Sequence, residues 1–151
     1  MKVGEKFTSD IRIISEDDIR KYDEIRGKAG PMQASDEYAR SVGYQRRIVS
    51  SGLIFSIVNV LIDAPTRFGS DLKPMAFLGV RDMRFKAPLH PGEGVLVEGE
   101  LLEKRESKSR GGMIVSYSWQ AKKTDGTIIA YGESAELASV EGETRQAGGA
   151  D

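Results

Sequence analysis

The segment from Ser51 to Pro65, SGLIFSIVNVLIDAP, is apolar around nearly its whole circumference. Between Leu53 and Ile62 the polar residues are Ser56 and Asn59, and with Asp63 they fall three and four residues apart, which is one thin stripe along a helix. Such a helix cannot stay in water. It is also shorter than the roughly 20 apolar residues that span a bilayer, so the rest of the chain has to cover it. Ser50, Ser51 and Gly52 supply start signals, and Asp63 with Pro65 supplies a stop.

The covering material is sufficient. At 151 residues the chain has the length of one domain, and a domain of that size buries roughly 70% of its unfolded surface. The 22 basic and 23 acidic residues leave a net charge of -1. No overall field recruits nucleic acid or an anionic membrane, and neither is expected as a partner. Without cysteine there are no disulfides, thiolate nucleophiles or thiolate metal sites. With one histidine, His90, no metal-ligand spacing arises, so neither a metal nor another cofactor is expected. The start of the chain, MKVGEKFTSD, lacks the apolar core of a secretion signal, which makes the cytoplasm the expected location.

Taken in order, Phe7 to Ile14 alternates loosely and predicts a first strand. Ser15 ahead of Glu16, Asp17 and Asp18 is a helix start, a capping hydroxyl followed by acids that complement the positive end of the dipole. Ile19, Tyr22 and Ile25 give that helix an apolar face, and Gly27 ends it. Gly27 to Ala34, GKAGPMQA, reads as a non-helical loop. Ser35, Asp36 and Glu37 begin a short helix that ends at Gly43, with Tyr38 and Val42 on one side. Gln45 to Arg47 form a basic connector into the central helix.

Beyond Pro65 a loop from Thr66 to Lys73 precedes a strand over Phe77 to Ala87, in which Met83, Phe85 and Ala87 alternate with Arg84 and Lys86. LHPGEG, Leu89 to Gly94, is turn chemistry. Val95, Val97, Gly99 and Leu101 line one face of the next strand, and the charged run through Arg110 belongs to a hairpin tip. Met113, Val115, Tyr117, Trp119 and Ala121 form the clearest period-two series in the chain. Asp125 and Gly126 mark a tight hairpin, and Ile128 to Leu137 returns as a last strand. There is no internal repeat, so residues 1–140 are expected to form a single domain, followed by a mobile tail at 141–151. The order predicts an α+β fold: a meander of about four long strands forming a curved antiparallel sheet wrapped around one long hydrophobic helix, the hot-dog arrangement. Its edge strands invite pairing with a second copy.

Residues able to carry chemistry are few. His90 lies in a proline-flanked turn and reads as a surface residue. Asp17 and Asp18 serve the helix start, and Asp23 with Glu24 forms that helix's wet face. Lys104, Arg105, Lys108 and Arg110 are interleaved with Glu103 and Glu106, as in a solvated hairpin tip; contact with the phosphates of a carrier or nucleotide is the other reading.

From GEKF and ISEDDIRKYDEIRG through GPMQASDEYARSVGY, RRIVSSGLI and MRFKAPLHPGE to the closing YGESAEL, the chain resembles the MaoC-like acyl dehydratases and (R)-specific enoyl-CoA hydratases, which have the hot-dog fold. Members carry a loop of the form GD, any residue, NP, any residue, H, whose Asp and His activate the water added across an enoyl double bond. Here Gly27 and Pro31 keep their places, but Lys28 stands at the Asp position, Gly30 at the Asn position and Gln33 at the His position. A lysine ammonium has no acceptor and a carboxamide does not titrate, so this loop lacks the family's acid and base. The resemblance further implies that the start of the central helix, here Ser51 and Gly52, holds the thioester carbonyl, with the backbone N–H of Gly52 polarising it. Ser51 as a plain helix cap is the competing reading. The substrate-binding residues implied are Gly30, Pro31, Met32, Ser51 and Gly52.

The resulting expectation is a protein that binds an acyl thioester of coenzyme A or acyl carrier protein, as a homodimer or higher hot-dog oligomer, with the standard hydratase dyad absent. Two alternatives accompany it. One is a non-catalytic subunit paired with a catalytic hot-dog subunit. The other is thioesterase chemistry, for which Asp63 and Glu24 are the candidate carboxylates.

Overall fold

The computed structural model describes residues 1–66 and 72–140; the expected tail at 141–151 lies outside the described residues. The strands are β1 (Lys6–Thr8), β2 (Arg12–Ile13), β3 (Leu72–Phe85), β4 (Gly94–Glu106), β5 (Met113–Lys123) and β6 (Ile128–Val140). The helices are α1 (Glu16–Arg26), α2 (Pro31–Ala34), α3 (Asp36–Ser41) and α4 (Ser51–Thr66).

The strands form an open, fully antiparallel sheet in the order β1-β4-β5-β6-β3, with β2 also pairing β4. This is the sheet of the hot-dog arrangement, but not a simple meander. β3 lies beside β6, so residues 86–93 carry the chain across to β4 rather than around a hairpin. The expected first strand is divided into β1 and β2, both paired with β4. The β3–β6 pairing shifts register in three places, and Asp82 takes φ 52° in the last of them, between Arg81 and Arg84. Shifts of this kind bend a strand and raise its twist, which lets the sheet curve over a helix.

The period-two series of β5 does what its pattern says. Val115, Tyr117, Trp119 and Ala121 are buried toward α4, with Met113 at the start of the series only partly buried, and Leu53, Ile54, Val58 and Ile62 of α4 are buried in return. Phe55 of α4 lies 6.3 Å from the ring of Trp119 and 6.3 Å from that of Phe77. The Trp119 indole N–H donates to Ser134 Oγ at 2.9 Å, so the largest buried ring leaves no polar atom unpaired. The sheet does not enclose the whole helix. Val60 is 67% exposed, and Ile57 and Leu61 are half-buried.

α1 starts as its sequence dictates. Ser15 Oγ accepts from the Asp18 N–H at 3.1 Å, and the Asp18 carboxylate accepts from the Ser15 N–H at 2.9 Å, a reciprocal cap. Gly27 closes the helix at φ 88°, the left-handed region that favours glycine. The apolar face is narrower than expected, because Ile25 is 84% exposed while Ile19 and Tyr22 pack on the core. In α3 the expected side, Tyr38 and Val42, is likewise exposed, and Ala39 is the buried residue. α4 runs through Thr66 and β3 begins at Leu72, so the expected loop from Thr66 to Lys73 is shorter at both ends.

Candidate functional site

The candidate site lies at the N-terminal turn of α4. The Ile54 N–H donates to the Ser50 carbonyl at 3.0 Å, which fixes the helix start. First-turn N–H groups, that of Gly52 among them, have no intrahelical acceptor. Ser51 is exposed on this turn and Gly52 is half-buried. The Tyr22 hydroxyl, from α1, lies against Gly52 so closely that a Cβ there would overlap it. Arg26, one turn further along α1, stacks its guanidinium 5.6 Å from the Tyr22 ring centre and donates from Nη1 to Ser50 Oγ at 3.3 Å. Ser50, not Ser51, is thus the serine engaged at the helix start.

The loop before α2 was expected to be non-helical; instead Pro31–Ala34 closes one helical turn. Proline at the first helical position forfeits no intrahelical bond. The Gln33 and Ala34 N–H groups both donate to the Gly30 carbonyl, at 3.2 and 3.0 Å. The Gln33 side-chain oxygen folds over the Gly30 Cα, where a side chain would overlap it. The Met32 carbonyl accepts from the Ile48 N–H at 3.2 Å, tying this loop to the connector that enters α4. Lys28 and Pro31 are exposed, whereas Gly30, Met32 and Gln33 are half-buried. Gln33 and Asp23 line a common groove between α1 and α2, to which Lys28 does not contribute. Asp23 is therefore not on a wet face: its Oδ1 is shielded from solvent and has no hydrogen-bond partner.

His90 is not a surface residue either. It is 7% exposed, and its Nδ1 donates to the Arg47 carbonyl at 2.8 Å. Its backbone N–H donates to Glu93 Oε1 at 2.7 Å. Burial works against the Glu93 charge, but the His90 N–H and the Lys123 ammonium outweigh it and hold the carboxyl below the usual range. The cluster clamps the connector at 47–49, where the Val49 N–H also donates to the Leu89 carbonyl at 2.7 Å. Its role in this structure is to set the approach to α4.

Deeper along α4, the Tyr117 hydroxyl donates to Glu136 Oε1 at 2.7 Å. Burial raises the Glu136 carboxyl above its ordinary value, the Tyr117 hydrogen bond opposes the rise, and Asp63 reinforces it. Asp63 lies on the order of 16 Å along the helix from Gly52, at 1.5 Å of rise per residue. Glu24 is exposed and paired with Arg20 at 2.7 Å. Neither thioesterase carboxylate stands at the helix start in this chain. Among the described residues no group of three or more His, Asp or Glu is placed to hold a metal ion, and no helix is long and apolar enough to cross a membrane.

The residues that sequence reasoning missed at this site are Tyr22 and Arg26. The signal was the spacing: from Ile19 they lie three and seven residues along α1, on the face that meets the rest of the fold.

An antiparallel sheet packed on one apolar helix, with a glycine in that helix's first turn beneath α1, defines a hot-dog domain. The chain belongs to the MaoC like domain family, whose profile matches residues 2–123. It is 26% identical over 129 residues to the mitochondrial 3-hydroxyacyl-[acyl-carrier-protein] dehydratase of Arabidopsis thaliana, covering 85% of this chain and 72% of that protein. Among solved structures, the (R)-hydratase from A. caviae involved in PHA biosynthesis superposes with a TM-score of 0.72 at 20% identity, covering 91% of this chain and 96% of the other. The C-terminally truncated HadBC (3R-hydroxyacyl-ACP dehydratase) complex from Mycobacterium tuberculosis gives 0.73 at 15% identity, with 89% and 96% covered. At these identities the two structures speak for the fold.

Proposed function

We propose that this protein binds an acyl thioester of coenzyme A or acyl carrier protein, with the thioester carbonyl at the first turn of α4 against the Gly52 N–H. Gly30, Pro31, Met32 and Ser51 flank it. The observation that carries this reading is the retained glycine in the first turn of the buried helix, within a chain that matches the family profile over residues 2–123. An N–H without an intrahelical acceptor, at the positive end of the dipole, stabilises negative charge developing on a carbonyl oxygen. The reaction that fits is reversible addition of water to a trans-2-enoyl thioester, giving the 3-hydroxyacyl form. The named activity of the Arabidopsis relative is of that kind.

Two measurements test it. Calorimetry with butyryl-CoA, which keeps the thioester carbonyl but has no double bond to hydrate, reports binding, and loss of the enoyl thioester absorbance of crotonyl-CoA reports turnover. No binding of butyryl-CoA, or of the corresponding acyl-carrier-protein conjugate, sinks the reading.

A second reading, a subunit that acts beside a catalytic hot-dog chain, is favoured by Lys28 and Gln33 at the dyad positions. The exposed Val60 on α4 and the exposed Met75 and Phe77 on edge strand β3 favour oligomerisation under either reading. The mass of the purified protein by light scattering separates the two: a homodimer that turns over crotonyl-CoA needs no other subunit.

A further inference from the structure

We infer that Arg26 recognises a carboxylate on the acyl group, so that the ligands of this site are monothioesters of dicarboxylic acids; the inference rests on the thioester reading above and narrows it. Arg26 Nη1 donates to Ser50 Oγ at 3.3 Å, and that oxygen lies 3.9 Å from where a Cβ on Gly52 would stand. Two contacts therefore separate the guanidinium from the residue whose N–H meets the thioester carbonyl. The Tyr22 ring, its centre 5.6 Å from the guanidinium carbon, supports the arginine from one side, while the Tyr22 hydroxyl rests on Gly52. Stacking of this kind holds the plane of the group without using its N–H donors.

The guanidinium is exposed and forms no ion pair among the described residues. Its neighbours are already engaged: Arg20 holds Asp17 and Glu24, and Arg47 holds Glu16 and Asp36. Of the five N–H donors of Arg26, the bond to Ser50 uses one, which leaves donors for a bidentate carboxylate. From Arg26 to Ala34 the chain carries two cations, Arg26 and Lys28, and no acid, so the loop attracts an anion. Complementing the carbonyl end of α1 asks only for a cation in its last turn. That role does not account for a guanidinium held over the start of another helix.

Reach selects a carboxylate over a phosphate. In a four-carbon dicarboxylic monothioester the free carboxyl carbon is three bonds from the thioester carbonyl carbon, roughly 4 Å when extended, and a charge-assisted hydrogen bond of about 2.8 Å completes the span to Arg26. The first phosphate of the pantetheine arm, on coenzyme A and on a carrier protein alike, is about 13 bonds from the sulfur, roughly 15 Å when extended. An extended arm carries that phosphate well past Arg26.

The experiment uses the full chain and calorimetry with butyryl-CoA and freshly prepared succinyl-CoA, which differ by a methyl group against a carboxylate and lack a double bond to hydrate. The parent is expected to bind succinyl-CoA at least about tenfold more tightly than butyryl-CoA. Arg26→Gln keeps a donor for Ser50 but removes the charge, and is expected to abolish that preference. Arg26→Lys, a charge without the fork, is expected to restore part of it, which a merely structural role does not predict. A parent that binds the two probes equally overturns the assignment. So does Arg26→Gln weakening both by the same factor, the result expected if the guanidinium serves the fold or a phosphate of coenzyme A; both outcomes leave the thioester reading standing. Absence of binding by either acyl group, on coenzyme A or on acyl carrier protein, removes both.

Discussion

The Tyr22 hydroxyl rests on Gly52, in the space a side chain at position 52 would occupy. The contact leaves no room for a side chain at position 52, which is not among the residues held at positive φ. Gly52→Ala gains roughly 1 kcal/mol of helix propensity and loses a comparable amount by pushing the tyrosine aside. The expected change in urea unfolding is therefore within about 1 kcal/mol. Binding of butyryl-CoA is expected to weaken about tenfold, because the added methyl group holds the thioester carbonyl off the N–H that the substitution leaves in place. Tyr22→Phe in the same background removes the overlapping oxygen, so the double variant is expected to be more stable than the two single changes sum to. Strict additivity in that cycle means that the contact carries no energy.

Trp119 and Ser134 make a second pair whose cost can be read directly. Both are buried, and the serine oxygen is the acceptor for the indole N–H. Ser134→Ala leaves that N–H inside the core without a partner, at an expected cost of about 1–3 kcal/mol. Trp119→Ala empties a far larger volume and is expected to cost about 3–5 kcal/mol. Trp119 is the chain's single tryptophan, so fluorescence-monitored urea unfolding of the serine variant watches the affected ring itself. A midpoint unchanged by Ser134→Ala argues that the indole has another acceptor.

The parts of this fold that were legible in the sequence are those where one period decides burial. Val115, Tyr117, Trp119 and Ala121 alternate, and all are buried. The Leu53 to Ile62 run is apolar enough that a helix there must be covered. Strand order is different, because nothing local to β3 says that Ala76 faces Leu137 rather than a residue of β4. The turn signal at PLHPGEG describes backbone, and the acceptor for the buried His90 ring is the carbonyl of Arg47, distant in sequence. The site was half legible for the same reason. Gly52 is marked by its place at a helix start, whereas Tyr22 and Arg26 meet Gly52 and Ser50 only once α1 lies against the start of α4.

Glu136 gives the interior a pH dependence of predictable sign. Burial and the facing Asp63 of α4 raise its carboxyl above the usual glutamate value, against the Tyr117 hydrogen bond that lowers it. Between the ordinary value near about 4.3 and the raised one, the folded protein holds a proton that the unfolded chain has released. Stability is then fully present below that window and is lost as pH rises through it. Glu136→Gln keeps a hydrogen-bonding partner for Tyr117 without a charge, so Tm plotted from about pH 4 to 8 should fall less steeply in the variant than in the parent. Parallel profiles contradict a raised Glu136.

Val60 tests the face of α4 that the sheet leaves open. It is 67% exposed in the isolated chain, on a helix whose Ile57 and Leu61 are half-buried, and edge strand β3 exposes Met75 and Phe77. A second copy covering this surface places Val60 in an apolar interface. Val60→Glu then puts a charge without a partner there, at a cost of several kcal/mol to association. In the separated chain the same change touches only water, where surface substitutions fall within about 0.5 kcal/mol. Light scattering of parent and variant over a range of concentrations is expected to show a dimer for the parent and a monomer for Val60→Glu, with the variant's unfolding no longer dependent on concentration. A variant that remains dimeric places the interface on another surface, and a parent that is monomeric at all concentrations leaves the open face of α4 to a different chain.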